Sequence, residues 1–182
     1  ADAGVLTDVQ VQALLSKATG GVTINGNDGA DSTDLRGFDT SGVNFTINAV
    51  GAGGAAADGN NVIYSGDGND TITTGDGADY IEVGGGIDNV SAGDGDDTIA
   101  VRSLDNVDGS SYDGGDGTDK LTVYGTNDLT NTTLTSIETL ELLPGSPAKV
   151  TVTISQLQSL SSVVDTNGLA ELEIAPEAAR AV

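Results

Sequence analysis

Nine residues is the unit on which this chain is built. Ser65–Thr73, Thr74–Glu82, Val83–Ser91 and Ala92–Ala100 align without a gap. Glycine recurs at 66, 75, 84 and 93 and again at 68, 77, 86 and 95; aspartate recurs at Asp70, Asp79, Asp88 and Asp97, and one aliphatic at 72, 81, 90 and 99. Asp67, Asp76 and Asp94 give three of the four units a second acid, and Gly85 takes that place in the third. Asp96 adds a further acid to the fourth. A weaker copy, Ala56–Tyr64, keeps Asp58, Gly59, Asn61 and Ile63 in register, and another, Gly114–Thr122, keeps Gly115, Asp116, Gly117, Asp119 and Leu121. That last copy is out of phase, because Gly93 and Gly115 lie two periods plus four residues apart, so residues 101–113 read as an inserted loop.

A short fixed period is the mark of a stacked architecture in which each unit contacts its neighbours. Within each unit, six residues of Gly-Asp type can turn and three can form a strand whose central aliphatic points inward. Glycine suits the turn because it tolerates positive φ and lets backbone carbonyls converge. Successive strands then go to two opposing sheets, with Ile72 stacking on Val90 in one and Ile81 on Ile99 in the other. The expected fold is mainly all-β: a parallel β-roll, or β-solenoid, within a single domain.

Such a roll has little apolar matter to hold it. Aromatics are 3% of the chain, Met, Trp, Cys and His are absent, and glycine numbers 27 among 182 residues. The net charge is -22, from 28 acids against 6 bases, and 18 of the 22 aspartates fall between Asp28 and Asp119. One buried aliphatic per unit does not offset the entropy of ordering nine residues. A density of carboxylates beside turn carbonyls suits Ca²⁺, which accepts six to eight oxygens in tolerant geometry, whereas Mg²⁺ prefers its waters and an octahedral shell. The expected ligands are Asp67, Asp70, Asp76, Asp79, Asp88, Asp94, Asp96 and Asp97 of the regular units, with Asp58, Asp116 and Asp119 of the flanking copies and Asp113 just before the second of them. Gly26, Gly29, Ala30 and Asp31 resemble the start of one more unit, so Asp28 and Asp31 join the expected ligands.

Outside residues 56–122, residues 1–21 read as a helical cap, with Thr7 and Gln10 at capping-box spacing and Val11, Leu14, Leu15 and Ala18 in a stripe. Residues 22–55 read as strands and an acidic loop, with Val43, Phe45, Ile47 and Ala49 alternating. Residues 123–182 read as a β-rich C-terminal cap. Two irregular loops, 27–42 and 101–113, combine acids with one of the few bases. They are the expected ligand site, with Asp34, Arg36, Arg102 and Tyr112 as its residues, orienting a carboxylate or hydroxyl pair at an incompletely coordinated Ca²⁺. The plainer reading of the first loop is an ion pair between Arg36 and Asp34 or Asp39.

Several function classes fall away. Without His or Cys, the chain can build neither a Ser-His-Asp nor a Cys-His arrangement, and zinc loses its usual ligands. No enzyme is expected. The acidic balance disfavours nucleic acid and anionic membrane. No apolar run reaches the length of a membrane span, so no direct insertion is expected, and the absence of Cys fits an extracellular setting stabilised by something other than disulfides. The abrupt ends read as those of a monomeric module within a longer chain.

The repeat resembles the RTX (repeats-in-toxin) calcium-binding nonapeptide G-G-x-G-x-D-x-U-x over residues 56–122. In size and layout the chain is similar to the calcium-dependent peptide-binding domain of large bacterial RTX adhesins. That resemblance implies adhesion at a bacterial cell surface through peptide or protein C-termini of a host or neighbouring cell, and export by type I secretion. RTX toxins, proteases and surface-layer proteins carry the same roll as a folding and export device, which is the alternative.

Overall fold

The computed structural model describes residues 21–26, 32–36, 40, 43–50, 59–102, 107–143, 149–166, 168 and 170–176. The expected helix at 1–21 lies outside them but for its last residue, as do Asp28, Asp31 and Asp58. The chain is nearly all parallel β, a solenoid of about six turns.

Sheet A stacks β1 (Val22–Asn25), β3 (Phe45–Asn48), β5 (Thr71–Thr73), β7 (Asn89–Asp94), β9 (Ser111–Asp116) and β12 (Thr133–Thr135) in that order. Sheet B, opposite, stacks β2 (Ser32–Asp34), β4 (Val62–Tyr64), β6 (Tyr80–Glu82), β8 (Thr98–Val101), β10 (Lys120–Tyr124), β13 (Thr139–Leu143) and β15 (Ser162–Asp165). The chain alternates between them, so neighbours within a sheet are a full coil apart. Ile72 pairs with Val90 and Ile81 with Ile99, as the period dictates. Each of the four is no more than 1% exposed, and with Ile63, Leu121 and Leu140 they form rows down the centre of the roll. Val43, Phe45, Ile47 and Ala49 are buried too, which bears out their alternation.

Two expectations change. Residues 101–113 are no simple insertion: Val101 extends β8, and Ser111–Asp113 opens β9, pairing with Asn89–Ser91. The coil lengthens from 18 residues (Ile72 to Val90) to 22 (Val90 to Tyr112). Residues 123–182 are likewise more than a cap, because β10, β13 and β15 continue sheet B coil by coil. The longer coils make room for a third sheet, C, of β11 (Asn127–Asp128), β14 (Lys149–Thr153) and β16 (Glu171–Ala175). The run "ISQLQS" forms a short helix, α1 (Ile154–Ser159), closed by a capping box between Thr153 and Gln156. Gln156 Nε2 also donates to the carbonyls of Leu129 (2.6 Å) and Thr132 (2.7 Å), pinning α1 to the preceding coil.

Candidate calcium edges and ligand pocket

A two-sheet roll has two edges, and both are made of turns. The turns from sheet A to sheet B lie at 74–79, 92–97, 114–119 and 136–138; those from sheet B to sheet A include 65–70 and 83–88, with Leu35, Arg36 and Thr40 following β2 and Arg102 following β8 on the same side. We name the first the acid edge and the second the pocket edge.

On the acid edge the sixth-position aspartates form a ladder. Asp79 Oδ1 accepts the N–H of Asn61 (2.7 Å), Asp97 Oδ1 that of Asp79 (2.7 Å), Asp119 Oδ1 that of Asp97 (2.9 Å), and Glu138 Oε2 that of Asp119 (2.8 Å). The pocket edge repeats the pattern more briefly: Asp70 Oδ1 accepts from Phe45 (2.8 Å), Asp88 Oδ1 from Asp70 (2.9 Å) and Ser110 Oγ from Asp88 (3.0 Å). One carboxylate oxygen thus satisfies the backbone of the neighbouring coil. The other oxygens of Asp97 and Asp119 are buried and take no hydrogen bond, although the residues are 2% and 1% exposed. A buried anionic oxygen without a partner is costly, and a cation relieves it. Burial pushes the Asp70 and Asp97 carboxyls up to about 6, and it raises that of Asp119 as well.

The third-position acids add to the acid edge: Asp76, Asp94 and Asp116 lie side by side across successive coils. Asp96 Oδ1 accepts the Thr118 N–H at 2.9 Å. Among the described residues no three acids stand preassembled around one point. An ion here therefore draws on turn carbonyls as well as carboxylates. Glycine makes that approach possible: at Gly86 φ is 138°, and a Cβ there would run into the Gly68 carbonyl of the adjacent turn. These residues fit Ca²⁺, with a soft oxygen shell shared between stacked turns.

The pocket edge gathers the other expected residues. Leu35, Arg36 and Thr40 of the first irregular loop and Arg102 of the second lie beside the regular turns 65–70 and 83–88. A cavity of about 240 Å³ opens there, lined by Leu35, Arg36, Thr40, Gly66, Asp67, Glu82, Val83, Gly84 and Arg102. Arg36 and Arg102, far apart in sequence, therefore meet at one site beside a calcium turn. Arg36 forms a bidentate pair with Asp34 (Nε–Oδ1 3.0 Å, Nη2–Oδ2 2.7 Å) and lies 3.4 Å above the Tyr64 ring. Its guanidinium lowers the Asp34 carboxyl. Arg102 grips Glu82 through Nε and Nη2, both at 2.8 Å, and stands 5.1 Å over Tyr124.

Tyr112 does not belong to this site. It occupies the inward register position between Val90 and Leu134 and is fully buried in the core. The lengthened coil puts an aromatic where the regular units place an aliphatic. Asp113 follows Tyr112 in the same strand, paired with Ser91 and one residue before the acid-edge turn.

Glu82 is the residue that sequence reasoning missed. It stands at the ninth position of its unit, where the others carry Thr73, Ser91 and Ala100. Only 5% exposed, it accepts the Tyr80 hydroxyl (3.1 Å) as well as Arg102. Burial and the Glu82 charge together raise the Tyr80 phenol. An acid breaking a column of small residues was the available signal.

Residues 56–90 and 82–102 match the family model of the RTX calcium-binding nonapeptide repeat, in four copies. Residues 56–102 are therefore repeats of that family, which bind calcium and build a structural module. The repeat family is generally structural rather than catalytic, and proteins bearing it are typically secreted. No curated protein and no solved structure matches the chain. No helix among the described residues is long and apolar enough to cross a membrane.

Proposed function

We propose that this RTX roll is a calcium-dependent ligand-binding module of a large adhesin, exported to the bacterial surface, and that it captures peptide or protein C-termini on a host or neighbouring cell. The observation that carries the reading is the convergence of Arg36 and Arg102 at a cavity walled by the calcium turns Gly66–Asp67 and Gly84. In the turn opposite Asp67, Gly85 leaves an ion one carboxylate short. A carboxylate arriving on a ligand would supply a further oxygen to an ion held beside Asp67, while the guanidiniums offer the planar fork that suits its oxygens. Phosphate-bearing ligands are disfavoured by the charge of -22 around so few bases.

One observation favours the alternative, a purely structural folding segment. Each of the four described bases already has an acid partner: Arg36 with Asp34, Arg102 with Glu82, Lys120 with Glu141 and Lys149 with Glu173. A peptide library with free and amidated C-termini, presented to the calcium-loaded protein, separates the two. We expect capture of free C-termini only, lost on chelation and lost in Arg102→Ala with the calcium-induced circular dichroism intact. No calcium-dependent capture from such a library means the structural reading holds.

A further inference from the structure

The two edges of the roll carry unequal acid. On the acid edge, turns 74–79 and 92–97 together carry Asp76, Asp79, Asp94, Asp96 and Asp97, and turns 92–97 and 114–119 together carry five acids. On the pocket edge, turns 65–70 and 83–88 bring Asp67, Asp70 and Asp88 alone, because Gly85 holds the third position. One coil further along that edge, Ser110 replaces the ladder aspartate. The same gap has Arg36 and Arg102 beside it.

Calcium affinity at oxygen sites rises with the number of anionic ligands. Cations nearby work against it. Buried carboxylate oxygens left over from the ladder occur on both edges, those of Asp97 and Asp119 on the acid edge and that of Asp70 on the pocket edge, so the edges differ in how many acids each pair of turns carries. At the pocket edge the space for a missing carboxylate is open: a Cβ on Gly85 would meet only Asp67 Oδ1, at 3.5 Å, an ordinary contact. The Gly85 N–H already points toward that oxygen, at 3.4 Å.

We propose that the roll takes up calcium in two separable steps: the acid edge fills first and folds the chain, and the gap between turns 65–70 and 83–88 fills last. The late ion is the one that serves the pocket. That role of the late ion rests on the function proposed above; the two-step uptake does not.

The test is a calcium titration of the metal-free protein, followed in parallel by far-UV circular dichroism and by bound calcium from equilibrium dialysis. We expect the circular dichroism to saturate while calcium is still being taken up, the last step needing about tenfold more free calcium. Gly85→Asp supplies the missing carboxylate and should draw the last step about tenfold toward the first. Asp67→Asn should erase the last step while leaving the folding midpoint within about twofold. Coincident folding and uptake curves in the unaltered protein overturn the proposal, as does a Gly85→Asp isotherm that matches the original. If the isotherms behave as expected yet free peptide C-termini are never captured, the link to the pocket fails and the two-step uptake stands.

Discussion

At Asp97 and Asp119 one carboxylate oxygen holds the N–H of the adjacent coil and the other is buried without a hydrogen bond, so a proton and a metal ion would compete for the same place. The folded carboxyls of Asp70 and Asp97 titrate at about 6, above the ordinary range, because burial penalises their charge. Between the unfolded and folded values the folded form binds more protons, so the metal-free roll is most stable below about pH 4 and weakens as pH rises through about 6. In chelator, acidification from about pH 7 to about pH 5 should therefore raise the strand signal in circular dichroism. A signal that falls over that window would contradict the assigned burial. The aspartate pattern was legible in the sequence because a nine-residue period repeats every ligand in register. Tyr112 was not, since a tyrosine amid Ser, Asp and Gly looks like a loop residue until the coil length around it is known. Glu82 escaped notice because its partner Arg102 lies in the next coil, and only stacking brings them together.

At the scale of elements, neighbouring glycines have opposite duties. Gly86 sits at φ 138° against the Gly68 carbonyl, whereas Gly85 has room for a side chain. Gly86→Ala should lower stability by about 1–3 kcal/mol through backbone strain. Gly85→Ala should be neutral or stabilise by about 0.4–1 kcal/mol through the unfolded chain. Thermal melts in saturating calcium measure both, and equal effects would mean the turn geometry is misassigned. The strands β5 and β6 were visible through the single aliphatic of each nine-residue unit, and β3 through its alternation. The strand β2 lay hidden in an acidic loop, because parallel pairing with β4 rather than its own composition makes it a strand. The helix α1 was hidden for a similar reason: six residues with no buried side chain carry little periodicity, and docking through Gln156 holds it.

Over the whole molecule, stability depends on an element the chain does not encode. Exhaustive chelation at neutral pH should open the aspartate-rich coils, and small-angle scattering should show the radius of gyration growing toward the roughly 45 Å of an unfolded chain of this length. Unchanged dimensions after chelation would refute the account of the ladder. The roll's existence could be read from its period, but its extent could not: beyond Leu121 the Gly-Asp rhythm stops while the stacking continues, carried by Leu140, Leu142, Val150 and Val152.

The switch from short two-sided coils to longer three-sided ones divides the molecule into a mineral half and an oily half. The oily half buries Val123, Leu129, Leu140, Leu142, Val150 and Val152, so in chelator it should outlast the mineral half and offer returning coils a ready-made edge. Closure then has a direction, running like a zipper from the carboxyl end toward the amino end as each new pair of turns catches its metal.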